Sequence, residues 1–107
     1  MRAIPFDTSD AVLMCATLPK PRIKNFQTGE VDVDRESGQP MFSVGLVLTW
    51  EGRAEVIPVM VPESGVPADL QVGATVQVAG LVYRHGEKSG RKWEMFTARS
   101  LIVVPAG

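Results

Sequence analysis

Of the 107 residues only one is a cysteine and one a histidine. Cys15 therefore has no partner for an intramolecular disulfide, which argues against a small secreted fold stapled by such bridges. One Cys and one His, far apart in sequence, supply no ligand set for zinc and little basis for a thiol nucleophile with its base. His85 falls in a basic segment, where a surface role is a simpler reading than catalysis or metal binding. No phosphate-cradling Gly-x-x-x-x-Gly-Lys stretch occurs. Glu30, Asp32 and Asp34 alternate and would share a face if extended, an arrangement that can hold Ca²⁺, but a solvated loop tip explains them more simply. The residues thus offer no catalytic constellation, no metal site and no cofactor site, and the chain is read as a non-enzyme.

Long apolar runs are missing as well. A membrane helix takes roughly 18 to 20 uninterrupted apolar residues, whereas the stretches 43–50 and 101–104 are short and flanked by polar residues. Pro5, Asp7 and Asp10 are at odds with the charged start and apolar middle of a secretion signal. The expectation is a soluble protein of the reducing cytoplasm with no membrane partner. Helical periodicity is absent too: eight prolines and ten glycines punctuate the chain, and the apolar segments are rich in Val, Leu and Ile rather than spaced at helical intervals.

What remains is an all-β pattern. Apolar residues make up 45% of the chain, enough at this length for one compact core and not for two, so 1–107 is read as a single domain. A first strand is expected over 11–18, ended by Pro19 and Pro21, which cannot donate to a central ladder. The long connection 19–40 contains Thr28-Gly29-Glu30 and Ser37-Gly38-Gln39-Pro40, turn-like steps that would close a small protruding hairpin. The second strand, 41–50, places Phe42, Val44, Leu46 and Leu48 on one side. A tight turn at 51–53 leads to the third strand, 54–61, where Pro58 points to an edge or a bulge. Between 62 and 73 there is room for a turn or two of helix, around 67–70. The fourth strand, 74–84, alternates Val76, Val78 and Val82 and carries Gly80 at a possible bend. A flexible hairpin loop is expected over 85–91, then a fifth strand over 92–103 and a frayed end at 105–107.

Five strands with a long first connection, a short helical link after the third strand and a basic hairpin between the last two match an oligonucleotide/oligosaccharide-binding (OB) Greek-key barrel. In that barrel the first and last connections flank the ligand face.

The second half of the chain resembles bacterial single-stranded-DNA-binding proteins. The resemblance is carried by Leu70-Gln71-Val72-Gly73-Ala74-Thr75-Val76-Gln77-Val78-Ala79-Gly80-Leu81, by Arg84, by Ser89-Gly90-Arg91-Lys92 and by Phe96-Thr97. Trp50 sits where that family often places a tryptophan. Most of the chain also looks like small regulatory proteins encoded beside replication and integration genes in actinomycete plasmids and integrative elements, through Ile4-Pro5, Thr28-Gly29 and Gly38-Gln39-Pro40. These resemblances imply a role in replication or transfer of a mobile element, and a homodimer or higher homo-oligomer. The long glycine-rich, acidic-tipped tail with which housekeeping single-strand binders recruit partners is not present.

The net charge of -1 is not that of a strongly basic nucleic-acid binder. The cations are clustered, however: Lys20, Arg22 and Lys24 lie in one window and Arg84, Lys88, Arg91 and Lys92 in another, together seven of eleven. Single-strand binding takes cations that follow the phosphates and flat rings on which unpaired bases stack. Phe26, Trp50, Tyr83 and Trp93 are the candidate rings, with Trp93 beside Lys92 the foremost, while Phe42 and Phe96 are read as core. Alternation from Val76, Val78 and Val82 puts Tyr83 off the interior face, unless a bulge at Gly80 intervenes. The expected partner is single-stranded DNA, RNA not being separable from it here, bound with little sequence preference and more weakly as salt rises. The rival reading, favoured by the overall acidity, is a protein–protein interaction or regulatory module that keeps the barrel without binding nucleic acid.

Overall fold

The computed structural model describes residues 2–5, 12–25 and 27–105, with side chains for all of these except 2–5, 12 and 50. Ala11, Phe26, Ala106, Gly107 and the side chain of Trp50 lie outside the described residues. Among the described residues the regular structure is β throughout apart from one 3-10 turn, Glu63–Gly65. The strands are β1 (Arg2–Pro5), β2 (Val12–Pro21), β3 (Ile23–Asn25), β4 (Glu30–Val31), β5 (Met41–Trp50), β6 (Arg53–Pro62), β7 (Thr75–Ala79), β8 (Val82–Lys88), β9 (Arg91–Thr97) and β10 (Ser100–Val103). Eight of them form one sheet in the order β1-β8-β9-β6-β5-β2-β7-β10, and β3 and β4 pair separately. All neighbours are antiparallel except β6 and β9, which run parallel through Val59↔Phe96 and Met60↔Thr97. The hydrogen-bonded order is open at β1 and β10, so the ladders do not close into a barrel.

The β5–β6 hairpin follows from its residues. Glu51 and Gly52 have φ of 49° and 75°, the positive pair that a two-residue type I′ turn requires and that matches the twist of the flanking strands. From Trp50↔Arg53 the register runs without a slip to Met41↔Pro62. Alternation then sends Val44, Leu46 and Leu48 of β5 and Ile57, Val59 and Val61 of β6 to one side, where they meet Leu13, Cys15, Leu70, Val76, Leu81, Ala98 and Leu101. Each fully buried Val or Leu contributes about 1.5 to 3 kcal/mol, so this inner face is what holds the sheet.

Pro58 sits opposite Gly45 within β6. The Met60 carbonyl, two residues on, points away from β5 and accepts the Ala98 N–H at 2.9 Å. Pro58 shares that outward orientation, so its missing donor costs the β5 ladder nothing, and β9 reaches β6 only at Val59 and Met60. The edge position expected for this proline is what the register shows.

Other expectations need correcting. The first strand does not end before Pro19 but continues to Pro21. It does so by leaving register with β5 between Cys15 and Thr17 and again between Thr17 and Lys20, so Pro19 falls in an irregular step. There the Thr17 hydroxyl accepts the Gly45 N–H (2.9 Å), a side chain standing in for a ladder carbonyl. The helical link lies at Glu63–Gly65 rather than around 67–70, where a single turn closes with the Leu70 N–H on the Pro67 carbonyl (3.4 Å). The fourth strand breaks at Gly80 (φ 67°) into β7 and β8, and the fifth breaks at Ala98 and Arg99 into β9 and β10. The loop expected over 85–91 is almost entirely strand: β8 runs to Lys88, β9 starts at Arg91, and only Ser89 and Gly90 (φ 53° and 78°) turn the corner.

Within the connection 19–40 both expected turns form. Gly29 N–H closes on the Asn25 carbonyl (2.9 Å) between β3 and β4, and Gly38 N–H closes on the Asp34 carbonyl (2.8 Å).

Candidate nucleic-acid interface

Partners across a ladder project to the same face, so the faces of the β8–β9 ribbon can be read from its register. Tyr83↔Phe96, His85↔Glu94 and Glu87↔Lys92 share one face; Val82↔Thr97, Arg84↔Met95, Gly86↔Trp93 and Lys88↔Arg91 share the other. Which of them continues the core is decided where β9 meets β6. Phe96 lies beside Val59, which is fully buried, and Phe96 itself packs on the core. The Tyr83 face is therefore the inner one. The Trp93 face is the outer one and runs on through Thr97 to Met60, Ser43 and Lys20.

This overturns the placement of Tyr83 off the interior face. Val76 and Val78 point inward on β7, but the positive φ at Gly80 shifts the alternation by one residue, so that Leu81 and then Tyr83 turn inward and Val82 outward. Tyr83 and Trp93, both candidate rings, stand on opposite faces. Lys92, next to Trp93 in sequence, faces with Tyr83 and is separated from the other three ribbon cations.

On the outer face the two cationic windows meet. Arg22, just past β2, donates from Nη1 to the Met60 sulfur at 3.4 Å and from Nε to the Asp32 carboxylate at 3.2 Å. Arg84 donates from Nε to the Thr97 hydroxyl at 3.1 Å. Met60 and Thr97 are direct cross-strand neighbours, so the two guanidinium groups are anchored to side chains of adjacent, paired residues. Lys20, exposed, stands across from Ser43 on the same face, and Lys88, Arg91 and the half-buried Trp93 continue it to the ribbon tip. Asp32 partly offsets Arg22, but that ion pair is more than a third exposed on both sides and is worth at most about 1 kcal/mol. Lys24 is on β3, in the separate two-stranded sheet, and joins this surface through no described contact.

The inner face of the ribbon is different in character. Tyr83 and His85 stack at 5.5 Å with 21° between their planes, and Phe96 tilts against Tyr83 at 5.2 Å. The Tyr83 hydroxyl donates to Glu94 Oε2 at 2.6 Å, and that bond to a carboxylate raises the phenol above its ordinary value. Tyr83, His85, Glu87, Lys92 and Glu94, together with Gly86 and Trp93 across the ribbon, line an open concavity of about 630 Å³, in which the two glutamates outnumber the lysine. Among the described residues no three His, Cys, Asp or Glu side chains stand close enough to share a metal ion, and no helix is long and apolar enough to cross a membrane.

Met60, Thr97 and Gly86 were not among the sequence candidates. The first two are visible only once β6 and β9 are paired. Gly86 was legible: counting back from a two-residue turn at Ser89-Gly90 sets it opposite Trp93. No protein-family model, no curated protein and no solved structure matches the chain.

Proposed function

We propose that the chain binds single-stranded nucleic acid, without chemical turnover, along the outer face from Lys20 through Arg22 and Arg84 to Trp93, Lys88 and Arg91. The observation that carries this reading is the meeting of the two cationic windows at Met60 and Thr97. Charges far apart in sequence share one surface there, with an indole farther along it. A flexible polyanion finds phosphate partners and a stacking ring in one track, where each stacked base is worth about 1 to 3 kcal/mol. Tyr83 and Lys92, on the far side of the ribbon, take no part in this track.

The order of the strands supports an OB-type reading of the sheet. β2 lies between β5 and β7, β5 leads to β6, and β6 runs parallel to β9; β10, two residues beyond β9, pairs with β7. The path thereby comes back to the neighbour of β2. Service to a mobile element and homo-oligomer assembly rest on the family resemblance.

The test is a titration of fluorescent oligo-dT at low and high salt. We expect binding at low salt that weakens as salt rises, with quenching of tryptophan fluorescence; no binding at low salt would sink the proposal. The protein-interaction reading would then take its place. It has one observation in its favour: Met14, Val47 and Val56 form a cross-strand apolar row on the same outer face, with Met14 41% and Val56 63% exposed.

A further inference from the structure

Trp93 stands directly across the ribbon from Gly86. A Cβ on Gly86 would lie 2.8 Å from Trp93 Cζ2, 2.9 Å from Cε2 and 3.1 Å from Nε1. All three atoms belong to the indole, so the ring occupies the space that any side chain at this position would fill. Most of the chain's glycines adopt positive φ, but Gly86 does not, so its backbone accepts any residue. What the position demands is room. One side of the indole rests on the strand, and the residue as a whole is only half-buried.

A ring seated in this way has little freedom left to lose when a base stacks on it, which favours binding. Its outward neighbours are Arg84 and Lys88 on β8 and Arg91 and Met95 on β9, all on the same face. A base inside a duplex offers only its edges in the grooves, whereas an unpaired base offers its whole plane. Resting on the single-strand binding proposed above, we infer that Gly86 is the positioning residue of that site: by lacking a side chain it seats Trp93 as a one-sided platform for an unpaired base.

Gly86→Ala, in a Trp50→Phe background that leaves Trp93 as the sole indole, is the test. The free protein is read by near-ultraviolet circular dichroism. Affinity is then measured for oligo-dT and for an abasic strand of equal length, which keeps the phosphates and removes the planes. We expect Gly86→Ala to diminish the indole band, to weaken oligo-dT binding by about tenfold and to leave the abasic strand unaffected. Combining it with Trp93→Ala should bind oligo-dT no worse than Trp93→Ala alone. An unchanged band with unchanged oligo-dT affinity overturns the inference. So does an equal loss toward both strands, which marks Gly86 as important only for the ribbon's shape. If the parent protein binds neither strand, single-strand binding itself fails, and the indole band alone then decides whether Gly86 seats Trp93.

Discussion

Individual positions in this chain are constrained for distinct physical reasons, and two glycines separate space from conformation. At Gly65 a Cβ would strike the Arg99 carbonyl oxygen and lie 2.9 Å from both Ser100 Cα and Val61 Cγ1. Two of these obstacles are backbone, so Gly65→Ala should cost about 2 to 3 kcal/mol in urea unfolding. Gly29 has nothing within 4 Å but a φ of 74°, and Gly29→Ala should cost only about 1 kcal/mol, from the left-handed backbone alone. Asp34 gives a residue-scale prediction in pH. The Ser37 hydroxyl donates to its carboxylate at 2.6 Å and holds the carboxyl below its ordinary 3.8, with the Ser37 and Glu36 N–H groups acting in the same sense. Because the folded value is the lower one, the stability this turn gains is present above pH 3.8 and is lost as pH falls through the depressed value. A carbon-detected titration of Asp34 should show a midpoint under 3.8, and Ser37→Ala should return it toward that figure.

Among the elements, β6 and the β8–β9 ribbon show how register governs tolerance. Pro58 is harmless because its nitrogen points away from β5, and Pro58→Ala should change stability by less than about 0.5 kcal/mol. Glu55, exposed and paired with Leu48, has the opposite orientation: three residues from Pro58, its N–H points into the ladder. Glu55→Pro should therefore cost about 2 to 3 kcal/mol, checked by the same unfolding measurement. Both hairpin registers were open to deduction from Glu51-Gly52 and Ser89-Gly90, because two-residue turns fix pairing. Reading 85–91 as a flexible loop missed this for the ribbon, since Gly86 was taken as a loop residue rather than as the space beneath an indole.

For the whole molecule the consequence is a sheet whose two sides differ in charge chemistry. The structure measures 45 × 29 × 22 Å, and the outer track uses cations contributed from both halves of the chain. With Lys20, Arg22, Arg84, Lys88 and Arg91 engaged, the logarithm of oligo-dT affinity should fall with the logarithm of salt at a slope of about -3.5. Neutralising Lys88 and Arg91 together should make that slope shallower by about 1.4. Lys92→Ala, on the inner face, should leave it nearly in place. A drop with Lys92→Ala as large as that per outer cation would contradict the assignment of faces.

The sequence by itself determined that the chain is β-rich, where β5 and β6 run, that Val44, Leu46 and Leu48 share the inward face of β5, and that the cations gather in two windows. These are local properties: alternation, turn torsions and charge spacing act over a few neighbouring residues. Phe42, read as core with those three β5 residues, is only half-buried and lies outside the core cluster. Which ring shares a face with which cation was decided only in the tertiary structure. One residue of slippage at Gly80 reverses every side chain that follows it on β8, and local preference does not fix that slip. It is fixed by Phe96 settling beside Val59, a contact between strands some forty residues apart, which turns Tyr83 inward and leaves Trp93 outside with Arg84, Lys88 and Arg91.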